Sequence, residues 1–182
     1  MKYEKNLCSL DIRNKSLTEE DFIEIGQLPE LEQLFVASAN VVDSWLIHLK
    51  ESKKLRWLWL NGTKITGAGL AHLKELTELK SLDLDNTKIT DEGLKHLKGM
   101  TQLEELWLNN TQITDRGLIH LSFLKKLKML SLASTNITDS GMSYIEGLEL
   151  DYLYLYGTKI TQEYIDMYRK IYPKCRVYRQ KA

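Results

Sequence analysis

The sequence predicts one α/β domain built as a solenoid of seven stacked repeats, each a strand followed by a short helix. Three observations predict it. Strand-like segments begin at a spacing of 24 residues, and leucine recurs at the same positions within them. The apolar residues of each segment alternate with period two, as in a strand with one buried face. The residues that follow change to the spacing of three or four that is typical of a helix.

The repeats start near residues 7, 31, 55, 79, 103, 127 and 150, and the last interval is one residue shorter than the others. Three residues after each start stands a leucine: Leu10, Leu34, Leu58, Leu82, Leu106, Leu130 and Leu153. Two residues further on stand Ile12, Val36, Leu60, Leu84, Leu108, Leu132 and Leu155. We expect both columns to share a core, because one strand and one short helix cannot bury their apolar faces alone. Residues 1–182 are therefore predicted to form a single domain.

A threonine precedes most helical segments, at the position where a side-chain oxygen can accept a hydrogen bond from the first helical turn. The predicted N-cap residues are Thr18, Thr66, Thr90, Thr114, Thr138 and Thr161, with Val42 as the exception. The helical residues that we expect to face inward follow the same spacing in every repeat, as in Leu70, Leu73 and Leu76.

The repeat ends in the motif T-x-I-T-D-x-G-L, which is complete in residues 87–94 and 111–118. In this motif the chain resembles leucine-rich repeat proteins of the 24-residue type, such as bacterial, F-box-associated and ribonuclease-inhibitor-like members. The resemblance implies a curved solenoid with a parallel β-sheet on the concave side and helices on the convex side. It also implies a C-terminal cap over residues 162–182, in which Pro173 ends the helix. Binding is the implied activity, although the partners of this family are diverse.

Composition excludes several classes of function. Lys and Arg number 25 and are balanced by 25 Asp and Glu, so no overall field attracts nucleic acid or an anionic membrane. The first ten residues lack the apolar run of a signal peptide, and no segment approaches the roughly 18 apolar residues of a membrane helix. Cys8 and Cys175 are separated by about six strand spacings, on the order of 29 Å, which is too far for a disulfide. We therefore expect free thiols and a cytoplasmic protein.

All four histidines fall in one helical column: His48, His72, His96 and His120. Packed helices lie about 8–10 Å apart, whereas zinc needs nitrogens at about 2.0–2.1 Å from one shared ion. We interpret the column as part of the seam between helices, and we predict no metal and no cofactor. The sequence contains no nucleophile motif and no glycine-rich phosphate loop.

The residues between the core leucines point away from the core and carry the functional prediction. The candidate partner-binding residues are Phe35, Trp57, Trp59, Asp83, Asp85, Glu105, Trp107, Met129, Tyr152, Tyr154 and Tyr156. Large aromatic side chains bordered by acids are typical of hot spots in protein interfaces. We predict that this concave face binds a protein or peptide, and that its acids receive a basic group of the partner.

Several alternatives remain open. The aromatic residues could stack along the sheet and serve stability alone. The chain could self-associate through this patch or through its uncapped first strand. The tryptophans could form a carbohydrate-binding surface. The basic, tyrosine-rich C-terminal region could bind single-stranded nucleic acid, although we interpret it as the solvated face of the cap.

Carbohydrate cleavage is the one catalytic alternative. Asp83 and Glu105 lie on adjacent predicted strands, about 8 Å apart, which is a spacing used by inverting glycosidases. We expect a nearly flat strand face, however, with no pocket to raise either carboxyl pKa. The chain is therefore predicted not to be an enzyme.

Overall fold

The computed structural model describes residues 3–179, and in this range eight parallel strands form one sheet. They lie in chain order as β1 (Ser9–Asp11), β2 (Gln33–Phe35), β3 (Trp57–Trp59), β4 (Ser81–Asp83), β5 (Glu105–Trp107), β6 (Met129–Ser131), β7 (Tyr152–Tyr154) and β8 (Arg176–Tyr178). Each register joins equivalent positions of successive repeats, and the shorter last interval pairs Leu130 with Leu153. The predicted α/β solenoid is confirmed. The predicted cap ran to residue 182, and its last three residues lie outside the described range.

Short helices cover one side of the sheet. The α-helices are α1 (Glu19–Ile25), α2 (Gly67–Leu73), α3 (Asp91–Leu94), α4 (Asp115–Leu118), α5 (Asp139–Met142) and α6 (Gln162–Ile171). Three 3₁₀ segments, Asp43–Leu49, Lys95–Gly99 and Ile119–Leu121, replace or continue them, as is common at helix ends and connectors. Within residues 3–179, none of the helices combines the length and the apolarity needed to span a membrane.

The core lies between the sheet and the helices and contains the predicted leucine columns. The central strand positions are fully buried at Leu34, Leu58, Leu82, Leu106, Leu130 and Leu153. Leu10 is 8% exposed, because its strand β1 lies at the edge and pairs only with β2. Burying one leucine contributes roughly 1.5–3 kcal/mol. Stacking of repeats therefore supplies the apolar burial that a single strand and helix lack.

A hydrogen-bond ladder joins the N-termini of the helices. Asp91 Oδ1 accepts from Thr114 N (2.7 Å), and Asp91 Oδ2 accepts from Thr114 Oγ1 (2.6 Å). The same two bonds join Asp43 to Thr66, Asp115 to Thr138 and Asp139 to Thr161. The predicted N-cap positions are confirmed, but Thr90 and Thr114 make no side-chain capping bond. The threonine hydroxyl thus joins neighbouring repeats and caps its own helix only in some of them.

The glycine of the repeat motif makes room for this ladder. A Cβ atom on Gly117 would lie 2.5 Å from Asp91 Oδ1, so a larger residue would displace that carboxylate. In the third repeat Gly67 replaces the aspartate, and a Cβ atom on Gly93 would lie 2.6 Å from Gly67 Cα. Two helices therefore approach through their glycines at the one step where Thr90 has no aspartate to bind.

Tyrosines attach the C-terminal cap to the last repeat. Tyr168 is almost fully buried, and its ring centroid lies 4.5 Å from that of Tyr172. The Tyr172 hydroxyl donates to the carbonyl oxygen of Glu146 (2.9 Å), which precedes β7. Arg169 Nη2 donates to the carbonyl oxygen of Val177 (2.8 Å) and so ties α6 to β8. These contacts cover the apolar end of the solenoid.

Candidate functional site

The face of the sheet opposite the helices, here called the open face, carries every predicted binding residue. These residues belong to strands β2–β7 or to the turns that follow β4 and β7. One row of the register passes from Phe35 through Trp59, Asp83 and Trp107 to Tyr154, interrupted only by Ser131. The row before it contains Trp57, Ser81, Glu105, Met129 and Tyr152. The sheet therefore brings the predicted residues together on one continuous surface.

Most of these side chains are half-buried, and Tyr152, at 36% exposure, is the most open of them. The reason is that neighbours on adjacent strands cover one another. The ring centroids of Phe35 and Trp59 lie 4.6 Å apart, and those of Tyr154 and Tyr178 lie 4.7 Å apart and nearly parallel. Stacking along the sheet thus accounts for part of the aromatic content. Trp57 and Trp107 have no aromatic ring partner within residues 3–179.

Several of the most exposed large apolar side chains lie instead on the helical side, which sequence reasoning missed. They are Ile47, Ile119, Phe123, Tyr144, Met167 and Ile171. The ring of Phe123, which is 50% exposed, lies 4.9 Å from Lys98 Nζ, a cation–π contact. A test of the binding face must therefore include this side of the molecule.

The expectation that a flat strand face leaves carboxyl pKa values unraised is wrong for Asp83. Asp83 is half-buried and lies in register between Trp59 and Trp107. Burial raises the pKa of Asp83 from 3.8 to about 7, and repulsion by Asp85 adds to this effect. A hydrogen bond from Asp85 N to Asp83 Oδ1 (3.0 Å) opposes it only in part. The neighbouring side chains thus exclude enough water to disfavour the charged form.

Asp85 is held by the next repeat. Asn109 donates to it twice, from the backbone N to Oδ1 and from Nδ2 to Oδ2, both at 2.7 Å. Asn109 Oδ1 in turn accepts from Ser131 Oγ (2.6 Å) and Ala133 N (2.7 Å). Burial raises the pKa of Asp85, and the bonds from Asn109 oppose this by favouring the carboxylate. The network fixes the rim of the open face, and the column of Asp85, Asn109 and Ala133 at 24-residue spacing was its signal in the sequence.

Three polar atoms near Asp83 are buried without a hydrogen-bond partner in the described part of the chain. They are Trp59 Nε1, Asn61 Oδ1 and Ser81 Oγ. All three belong to β3, β4 or the turn after β3. Buried polar atoms are usually paired, so three unpaired ones in adjacent repeats mark this part of the open face as unusual. Asn61 and Ser81 were not among the predicted site residues.

Two arginines of the chain already contact aromatic rings on the open face. Arg13 binds Asp11 through Nε and Nη2 at 2.9 and 2.6 Å, and its guanidinium carbon lies 5.9 Å from the Trp59 ring centroid. The guanidinium carbon of Arg176 lies 5.7 Å from the ring centroid of Tyr152. The surface is thus able to accept guanidinium groups.

The histidine column lies on the helical side, and its members are half-buried. His48 Nε2 contacts Glu19 Oε1 at 3.1 Å, and burial, with Lys95 and Lys74, lowers the pKa of His96. Among residues 3–179, no group of three or more His, Cys, Asp or Glu side chains is arranged to hold a metal ion.

Comparison with known proteins agrees with this architecture. The family described as Leucine Rich repeats (2 copies) matches residues 53–99 and 101–144, which together make half of the chain. Internalin C2 of Listeria monocytogenes superposes with a TM-score of 0.77 at 26% identity, over 93% of this chain and 69% of the internalin.

A leucine-rich repeat protein of Leptospira interrogans superposes with a TM-score of 0.66 at 24% identity, which shows a shared fold. The alignment covers 95% of this chain and about half, 49%, of the Leptospira protein. No curated protein matched the chain significantly. The repeat motif, the eight-stranded parallel sheet and the family match together show that the chain belongs to the leucine-rich repeat family.

Proposed function

We propose that this chain is a non-enzymatic module that binds a protein or peptide on the open face of its sheet. Membership of the leucine-rich repeat family supports a protein-binding scaffold in general. The observation that carries the choice of face is the composition of strands β3–β5 and their turns. This part of the sheet contains three tryptophans, three acidic residues and three polar atoms without a hydrogen-bond partner.

This composition matches the centre of a protein interface, where a few aromatic anchors supply most of the binding energy. The half-buried rings are already restricted by their neighbours, so less rotamer entropy is lost when a partner covers them. The two free thiols at opposite ends of the sheet support a cytoplasmic location, which we propose as well.

A raised carboxyl pKa is also found in catalytic acids, so the Asp83 result bears on catalysis. Burial and a neighbouring acid account for it here. Asp83 is only half-buried on the face of a sheet, so a substrate bound there would stay in contact with water, whereas closed active sites expel it. We therefore propose binding, and no observation favours carbohydrate over protein as the ligand.

The test is a selection of random 15-residue peptides on the immobilised protein, followed by titration of the enriched peptides against single variants. Trp57→Ala and Trp107→Ala should each weaken binding about thirtyfold or more, since a hot-spot residue contributes roughly 2 kcal/mol or more. These two tryptophans are chosen because their removal disrupts no aromatic pair of the described chain.

Two controls lie on the helical side. His72→Ala and Phe123→Ala should leave the affinity within error, since both side chains are remote from the open face. If Phe123→Ala weakens binding and Trp57→Ala does not, the interface lies on the helical side and the proposed face is wrong. The carbohydrate alternative would be favoured if no enriched peptide depends on the tryptophans and a glycan binds in a way that does depend on them.

A further inference from the structure

Two aspartates occupy the same row of the open face, Asp11 in the first repeat and Asp83 in the fourth, and they share their backbone setting. Asp11 Oδ1 accepts from the backbone N of Arg13 (3.2 Å), and Asp83 Oδ1 accepts from that of Asp85 (3.0 Å). The difference is the side chain two residues on. Arg13 also binds Asp11 through its guanidinium, whereas Asp85 brings a second negative charge beside Asp83. Asp83 thus lacks the cation that Asp11 has.

Asp83 has a tryptophan on each side in its row, and aromatic rings bind planar cations. Trp59 and Trp107 stand in register with it on the two neighbouring strands, each one strand spacing of about 4.8 Å away along the backbone. Phe35 and Arg13 contact Trp59 from the side of β1 and β2. Within residues 3–179, neither of these two ring contacts of Trp59 comes from its β4 side, where Asp83 lies.

The charge around Asp83 is uncompensated. The open-face positions of β3–β5 and their turns carry Asp83, Asp85 and Glu105, and none carries lysine or arginine. Asp83 Oδ2 accepts no hydrogen bond from any residue within 3–179. Independently, Ser81, two residues earlier on the same face of β4, is only 1% exposed and its Oγ has no partner. Unpaired polar groups of this kind mark a place where further hydrogen bonds are to be expected.

We propose that Asp83 receives the guanidinium group of an arginine in the bound peptide, held between Trp59 and Trp107. This inference rests on the proposed function, since it names the chemistry of the partner at the same face. Arginine fits better than lysine because its planar group stacks on aromatic rings and binds a carboxylate through two N–H groups. The pair Asp11–Arg13, with Arg13 beside Trp59, is the same arrangement made within the chain.

The test uses two blocked amino acids, N-acetylarginine amide and its neutral isostere N-acetylcitrulline amide, titrated at pH 8. Binding is followed by NMR at the carboxyl carbon of Asp83 and the indole N–H groups of Trp59 and Trp107. We expect saturable shifts with the arginine probe and at least tenfold weaker binding of the citrulline probe, because a charged hydrogen-bond pair is lost. Asp83→Asn should weaken binding of the arginine probe about tenfold or more. Asp151 is an exposed acid next to β7, and Asp151→Asn should leave binding of the probe unchanged.

A second variant tests the internal comparison. Asp85→Arg places a guanidinium two residues after Asp83, as Arg13 stands to Asp11, so it should lower the pKa of Asp83 and abolish binding of the probe. Equal binding of the two probes, or shifts that Asp83→Asn leaves unchanged, would overturn the proposal. If the probes fail while selected peptides still depend on Trp57 and Trp107, the arginine site is refuted and the proposed function stands. If binding of those peptides is also unchanged by the tryptophan substitutions, the arginine site and the proposed function are both refuted.

Discussion

Replacing Asp83 with asparagine should stabilise the free protein at neutral pH. The pKa of Asp83 is about 7 in the folded protein against an ordinary value of 3.8. One pKa unit corresponds to about 1.36 kcal/mol, so the full effect would be roughly 4 kcal/mol. Because the side chain is only half-buried, solvent screening reduces the expected gain to about 1–2 kcal/mol. Asparagine keeps the shape and the acceptor oxygen for Asp85 N, and it removes the buried charge.

The sign of the pH dependence follows from the raised pKa. Below about pH 4, Asp83 is protonated in the folded and unfolded states, and the variant gains nothing. Between about pH 4 and pH 7 the unfolded chain has lost a proton that the folded protein still holds. Stability of the parent therefore falls as pH rises through this range. The advantage of Asp83→Asn should grow over the same range and be complete at pH 8.

The measurement is urea denaturation followed by tryptophan fluorescence at pH 4.5, 6 and 8, with melting curves alongside. A gain of 1–2 kcal/mol corresponds to a rise of about 2–8 °C in Tm for a chain of this size. Asp11→Asn is the matched control, because Asp11 stands in the same row and Arg13 lowers its pKa through a hydrogen bond. That control should show no gain at pH 8. A parent as stable as Asp83→Asn at pH 8, or a difference that does not vary with pH, would refute the reasoning.

Two further predictions concern the fold. Gly117→Ala should lower the free energy of unfolding by about 1–3 kcal/mol, because its Cβ atom would lie 2.5 Å from Asp91 Oδ1. Gly99→Ala is the control: its Cβ atom would meet its nearest neighbour at 3.5 Å, so it should be near neutral in the same urea series. Leu82→Ala in the fully buried centre should cost about 2–5 kcal/mol. Leu10→Ala at the 8% exposed edge should cost less, and equal losses at the two leucines would contradict the assignment of the edge.

The fold was predictable because its signals are local and repeated. Period-two leucines define the strands, and a 24-residue spacing places equivalent residues side by side in a parallel sheet. The position of the threonine caps was predictable for the same reason. Their partners were not, because the aspartate that binds Thr114 lies 23 residues earlier, in another repeat. An N-cap residue can be recognised from the sequence of one repeat. A contact between repeats can be predicted only if the distance between two helix ends is known.

The sequence predicted which residues lie on the open face but not how deeply each is buried there. Alternation assigns Asp83 to the open face, and the sheet register then sets it between Trp59 and Trp107. How deeply the carboxylate is covered depends on how two indole side chains are arranged above the sheet, and the sequence does not contain that information. The same limit applies to the helical side, where short α and 3₁₀ turns differ in residues per turn. Ile119 begins such a 3₁₀ segment and Phe123 lies in the turn after it, and both side chains are exposed.

The row that contains both aspartates supports the proposal that residue 83 is a binding position. At Asp11 the chain supplies its own arginine, and the pair lies at the exposed edge of the sheet. Serine at residue 131 fills the same row without a charge, and it is buried and hydrogen-bonded to Asn109. A serine at residue 83 would therefore fit the register and avoid a buried carboxylate. The carboxylate at residue 83 lowers the stability of the free protein at neutral pH. A bound arginine, as we propose, would offset this cost, because a ligand that binds only the folded state stabilises it.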